Sequence, residues 1–406
     1  MKPRSRERIA VFAVIGLLIL APLSIPAAVH GQQPPATKTE AATAPKVHKG
    51  FVLLVEFPDV PHRVDKDLVR MRFSQHLNAY VQEMSYQKAA LSVDVTKKWH
   101  TLPRPIAEYR ISSRNLEVDR SRIRRLIDDS LAAVDQEVDF SRYDFVAIVL
   151  AAEVQDYGMI GLCGYPGMLG WSSEAALKTK SGRRIKGGVA IFCFRAHLGT
   201  LFHDVAHILG GVKDGKRMVP CLYDHDLQAR PGPRRETFVK ATINMGFWDP
   251  MSCHFYRWGV PPPGISSWTK LRLNWIDESK VKVIKPREMT EFVLGPLEDG
   301  SSEVLVARIP EGPHTYYLIE NRQPIGFDAV LPGSGVLIMY ADDSVPECRR
   351  GRAPVKLWNA NPSVPNLEGA AYDVGSQEVI LGVKFGPRVQ IKEKVGNSYR
   401  IVVGFR

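Results

Sequence analysis

Two nearly uninterrupted apolar runs, residues 143–152 (YDFVAIVLAA) and 187–194 (GGVAIFCF), constrain this chain most. A strand without polar alternation has both faces covered, so its sheet must lie between other layers. Residues 51–57, closed by Pro58-Asp59, read the same way, and residues 91–99 alternate like a further strand. Val69, Phe73, His76, Leu77, Tyr80, Val81 and Met84 recur at helical spacing, as do Ile123, Leu126, Ile127, Leu131 and Val134. The glycine-rich stretch 158–170 reads as a long loop. Strands separated by helices predict an α/β (α+β) domain with a mixed sheet.

After residue 280 the pattern changes. Short strand-like runs at 291–294, 303–309, 315–321, 335–340, 378–383 and 399–403 are separated by Gly, Pro and Asp, with no helical period among them. They predict a β-sandwich-like C-terminal domain. No internal repeat of the length used by solenoids or propellers is visible.

The N-terminus reads as a secretory signal: Lys2, Arg4, Arg6 and Arg8 against Glu7, an apolar run over 9–23, and a cleavage site around Val29-His30-Gly31. That run holds 15 residues and Pro22, short of the roughly 18 expected of a spanning helix. An uncleaved N-terminal anchor is the alternative. Residues 32–48 are rich in Pro, Ala, Thr and Gln and read as a linker. The expected organisation is therefore a signal (1–31), a linker (32–48), a catalytic domain (49–282) and a C-terminal domain (283–406), exported or extracytoplasmic.

The net charge of +11 and pI near 9.4 invite a nucleic-acid reading. The signal accounts for +3, leaving +8 on the remaining chain. Arg120, Arg122, Arg124 and Arg125 fall mostly off the apolar face of their helix, as a solvated face would. Nucleic acid is not an expected partner; a weak tendency towards anionic cell-surface polymers remains. Five scattered cysteines, none in a CxxC pair, exclude a zinc ribbon.

In residues 200–211 (TLFHDVAHILGG), His203 and His207 stand four apart, on one helix face, where they can chelate one cation. Eleven histidines give about 0.3 such pairs by chance, so the pair alone is weak. Two histidines bonded to neighbours in a partly buried helix are the plain alternative. Asp204 follows the first histidine, at the position where HExxH enzymes place a general base, with a side chain one methylene shorter. The segment 247–252 (FWDPMS) offers a turn that could set Met251 beneath the histidines, or Met251 could be core.

These pieces together resemble the immune inhibitor A-like secreted bacterial zinc metallopeptidases over most of residues 50–345. The resemblance rests on Phe57-Pro58-Asp59, on Tyr80, Ser85-Tyr86, Leu91-Ser92, Trp99 and Leu102, and on the HDxxH segment. It continues through the Met251 turn, residues 267–275, residues 317–323 (YLIENRQ), Gly326-Phe327-Asp328 and residues 331–335 (LPGSG). It implies a zincin-like catalytic domain, a zinc cofactor, protein or peptide substrates, and hydrolysis with Asp204 as the base. His203 and His207 would be metal ligands. Where the family has its third ligand, an Asp, this chain has Lys213. The expected replacement is Asp214, with Cys221 the close second and His225, Asp226 and His254 in reserve. The competing expectation is a catalytically impaired relative that serves as an extracellular binding module. A His203-Asp204 phosphohydrolase dyad conflicts with the export signal.

Overall fold

The computed structural model describes residues 44–111, 118–171, 177–228, 239–382 and 386–405. The expected signal and residues 32–43 of the expected linker lie outside these residues. The first half builds one mixed sheet from β1 (Lys46–Glu56), β2 (Ala89–Val95), β3 (His100–Thr101), β4 (Phe145–Leu150), β5 (Gly161–Tyr165) and β6 (Gly188–Cys193). Its order is β2-β1-β4-β6-β5, with β3 beside the end of β1. β1 runs parallel to β2 and β4, β4 parallel to β6, and β5 antiparallel to β6 at the edge.

Every residue of β4 and β6 is buried because both faces are covered. One face packs Val52, Leu54, Ala147, Val149 and Phe192 against a helical arm made of α1 (Lys66–Met71), a π-helical turn (Arg72–Leu77) and α2 (Asn78–Met84). The other packs Leu53, Val55, Ile148 and Ile191 under α3 (Arg120–Ala132). Each Val, Leu, Ile or Phe side chain among these contributes about 1.5–3 kcal/mol on burial. Asp119 caps α3 by accepting from Ser121 N and Arg122 N. Its arginines line the outer side, where Arg122, Arg124 and Arg125 face Asp119, Asp128 and Glu108.

Two expectations are corrected. β1 begins at Lys46, inside the stretch assigned to the linker, because residues 46–49 pair with the start of β2. The glycine-rich stretch holds strand β5. Its glycines reflect close packing: a Cβ on Gly161 would lie 2.6 Å from Thr200 Cγ2 and 2.8 Å from Asp204 Oδ2.

The segment after β6 forms α4 (Leu198–Gly210) and a hairpin of β7 (Val212–Lys213) and β8 (Lys216–Arg217); α5 (Ser267–Arg272) closes the first half. The remaining strands are β9 (Val281–Val283), β10 (Thr290–Leu294), β11 (Val306–Pro310), β12 (Thr315–Arg322), β13 (Gly335–Asp342), β14 (Val355–Leu357), β15 (Val379–Ile380), β16 (Arg388–Val395) and β17 (Ser398–Gly404). They make two sheets, β14-β13-β12-β11-β9 and β10-β17-β16-β15. Ile309, Ile319 and Ile338 of the first sheet share a core with Leu294, Ile391 and Ile401 of the second.

The opposite face of the first sheet carries Val306, Leu318 and Met339 into the core that holds Leu201 and Val205 of α4. A buried ion cluster seals this junction. Arg322, fully enclosed, binds Asp328 at 2.8 Å, Glu320 at 3.1 Å and Glu298 at 3.2 Å. It also donates to the carbonyls of Trp248 and Gly264, both at 3.0 Å. The fold is thus mixed α/β, with a layered sheet docked on a two-sheet β region.

Candidate metal centre

Helix α4 starts from His197, whose Nδ1 accepts Gly199 N–H at 3.0 Å while its Nε2 bonds the Val260 carbonyl at 2.7 Å. A Cβ at residue 199 would overlap the carbonyl oxygen of His254, so glycine admits that segment against the first turn. One turn further, His203 and His207 project from one face and are 2% and 1% exposed.

The orientation of both rings is fixed from behind. His203 Nδ1 donates to the Pro250 carbonyl at 3.0 Å, and His207 Nδ1 donates to the Val219 carbonyl at 2.6 Å. A carbonyl only accepts, so each Nδ1 carries a proton and each ring turns its Nε2 outward, where a neutral imidazole presents its lone pair. Both Nε2 atoms meet Cys221 Sγ at 3.5 Å. The three donors lie within 4.8 Å of one another, all buried, and can hold a metal ion. A cation at the centre would satisfy all three donors.

The third donor beside the two imidazoles is therefore Cys221. Asp214, favoured from the sequence, sits at the exposed turn of the β7–β8 hairpin with φ +50°. That hairpin carries the chain out and back, so the next inward-facing donor after α4 is Cys221. Met251 is fully buried in the core, and its turn touches the site through Pro250 and through Leu222 N–H, which donates to the Met251 carbonyl at 2.8 Å. Among the reserves, His254 sets its ring tilted against that of His203, with centroids 4.4 Å apart, and bonds Thr200. His225 contacts Glu347 at 3.3 Å, and Asp226 pairs with Arg349 at 3.0 Å.

Asp204 is 4% exposed and lies between α4 and β5. Its carboxylate takes the Cys163 N–H, while Oδ2 has no hydrogen-bond partner among the described residues. Burial pushes its pKa up to about 7, against the pull of His203. For Cys221, burial alone would raise the thiol, but His207, Arg217 and His203 hold it well below its ordinary range, favouring thiolate. Burial lowers His207 to about 4, keeping that ring neutral.

Three further residues complete the site. Arg217 Nη2 lies 3.7 Å from Cys221 Sγ and binds Glu347 at 2.8 Å. Tyr223 places its hydroxyl 3.3 Å from the same sulfur and stacks on His203. The sequence alone gave neither Arg217 nor Glu347 a place in the site. The ligands and Asp204 line a cavity of about 320 Å³, with Leu162 and Trp171 among its other walls. The five cysteines are all buried, and none forms a disulfide among the described residues. Set against known proteins, this chain matches no protein-family model and no curated protein.

Proposed function

We propose that this chain is an exported zinc endopeptidase with a zincin-like catalytic half, in which His203, His207 and Cys221 hold the metal and Asp204 serves as the base. The observation that carries the reading is the donor triangle with a carboxylate from the same helix beside it. Zinc fits the donors: two imidazoles and a thiolate suit a borderline-soft cation. The observed 3.5 Å between nitrogen and sulfur matches the roughly 3.6 Å edge of a tetrahedron built on ordinary zinc bond lengths. Edge strand β5, antiparallel beside the histidine helix, supports the zincin-like reading.

Bound there, zinc supplies Lewis acidity that polarises a carbonyl and acidifies water. The protein's own part is to orient and to move protons. Pro250 and Val219 hold the imidazoles, and Asp204 receives a proton at Oδ2 and returns it to the leaving amine. The short aspartate, tied to Cys163 N–H, favours the second reading of an attenuated site that binds without cutting.

The test is metal analysis of the purified protein together with casein hydrolysis. Stoichiometric zinc and chelator-sensitive cleavage are expected. His203→Ala should lose both, whereas Asp204→Ala should keep zinc and lose roughly 10²–10⁴-fold in rate. Zinc without cleavage in the wild type, restored by Asp204→Glu, would establish the attenuated reading. A wild-type protein free of zinc would sink both.

A further inference from the structure

The loop between β13 and β14 belongs to the far β region, yet it lies along the segment that carries Cys221. Cys348 offers its carbonyl to His225 N–H at 3.2 Å, and Gly351 N–H donates to Asp224 Oδ2 at 2.8 Å. Glu347 sits at the centre of this contact. Its Oε1 accepts from Arg217 Nε at 3.1 Å and Nη2 at 2.8 Å, and its Oε2 meets His225 Nε2 at 3.3 Å. Arg217 in turn directs Nη2 at Cys221 Sγ from 3.7 Å. Arg217 has a side chain 6% exposed and Glu347 one 12% exposed, so water does little to screen either charge.

We propose that Glu347 is a positioning residue for the metal centre: it holds Arg217 against the Cys221 thiolate and thereby sets the strength of the sulfur ligand. This rests on the metal reading above and adds a residue from outside the ligand-bearing half. The physical argument is charge placement. A guanidinium facing a thiolate and a metal cation is repelled by the metal; without a carboxylate behind it, the guanidinium turns away or weakens the site. With Glu347 in place, Arg217 is neutralised on one side and free to donate an N–H to sulfur on the other. Such a hydrogen bond draws electron density from the thiolate and fixes its direction, as outer-shell partners do for other ligands.

The experiment uses the full chain and cobalt(II) alone as the probe, read by competition with a chromophoric chelator and by the thiolate-to-cobalt charge-transfer band. Wild type should show that band, and Cys221→Ser should abolish it. Glu347→Gln should bind cobalt roughly 10–100-fold more weakly and shift the band, while Glu347→Asp, which keeps the charge, should retain most of the affinity. If Glu347→Gln does not fold, as judged by circular dichroism, Arg217→Lys takes its place, because it keeps the charge and loses the directed N–H; the same band shift is expected. A folded variant with wild-type affinity and an unmoved band overturns the proposal and leaves the metal centre standing. A wild-type protein without a Cys221-dependent band overturns the metal centre, and the role of Glu347 with it.

Discussion

Cys221 and Asp214 lie seven residues apart, one enclosed by the two imidazoles and the other on the tip of a hairpin. Cys221→Ser should therefore weaken metal binding by more than the roughly 10–100-fold typical of outer-shell changes. Asp214→Ala should leave it unchanged, and chelator competition reads both. Gly161→Ala is the matching test of the aspartate pocket. The added methyl would press on Thr200 and Asp204, with about 1–3 kcal/mol of destabilisation expected from overpacking, measured by urea unfolding. The histidine pair was legible because helical spacing alone puts residues i and i+4 on one face. The choice between Asp214 and Cys221 was not, because it turns on whether the intervening residues form a tight turn or a hairpin. Glu347 lies 130 residues from Arg217, and no local pattern announces such a contact.

Among the elements, the turn at 249–251 holds His203 most directly. Asp249 takes Met251 N–H on Oδ1 and accepts Ser266 N–H, Ser266 Oγ and Thr269 Oγ1 on Oδ2, so it binds this turn to α5. Asp249→Asn replaces one acceptor with an NH2 group facing donors. The expected loss is about 1–3 kcal/mol in urea unfolding, because buried groups are left unpaired. The same variant should loosen the Pro250 carbonyl behind His203 and lower metal affinity. The strands with continuous apolar runs, β4 and β6, were legible because nothing but a covered strand suits them. β5 was not, since its glycines serve packing against α4 yet look like loop punctuation. β16 escaped for the opposite reason: only Val389 and Ile391 of its eight residues, apart from the terminal Val395, are apolar.

Across the whole molecule, the junction cluster sets Arg322 against Glu298, Glu320 and Asp328. Burial, and then a hydrogen bond with Asp328, hold the Glu298 carboxyl well above the usual carboxylate range. A raised folded-state pKa stabilises the fold below the unfolded value, and that contribution is lost as pH rises towards the folded one. Glu298→Gln offers a permanent N–H to Asp328 and has no proton to lose. The urea midpoint of the wild type should therefore fall relative to the variant from about pH 5 to about pH 9. The two should run parallel below about pH 4, where the unfolded glutamate is itself protonated.

The docking of the β13–β14 loop on the ligand segment also has a consequence in time. All three candidate metal donors are synthesised by residue 221, but Glu347 follows roughly 6–25 s later at about 5–20 residues per second. A nascent or truncated chain thus exposes two histidines and a thiol without the carboxylate that neutralises Arg217. On the proposed reading, the order of translation postpones the centre until the β region has emerged.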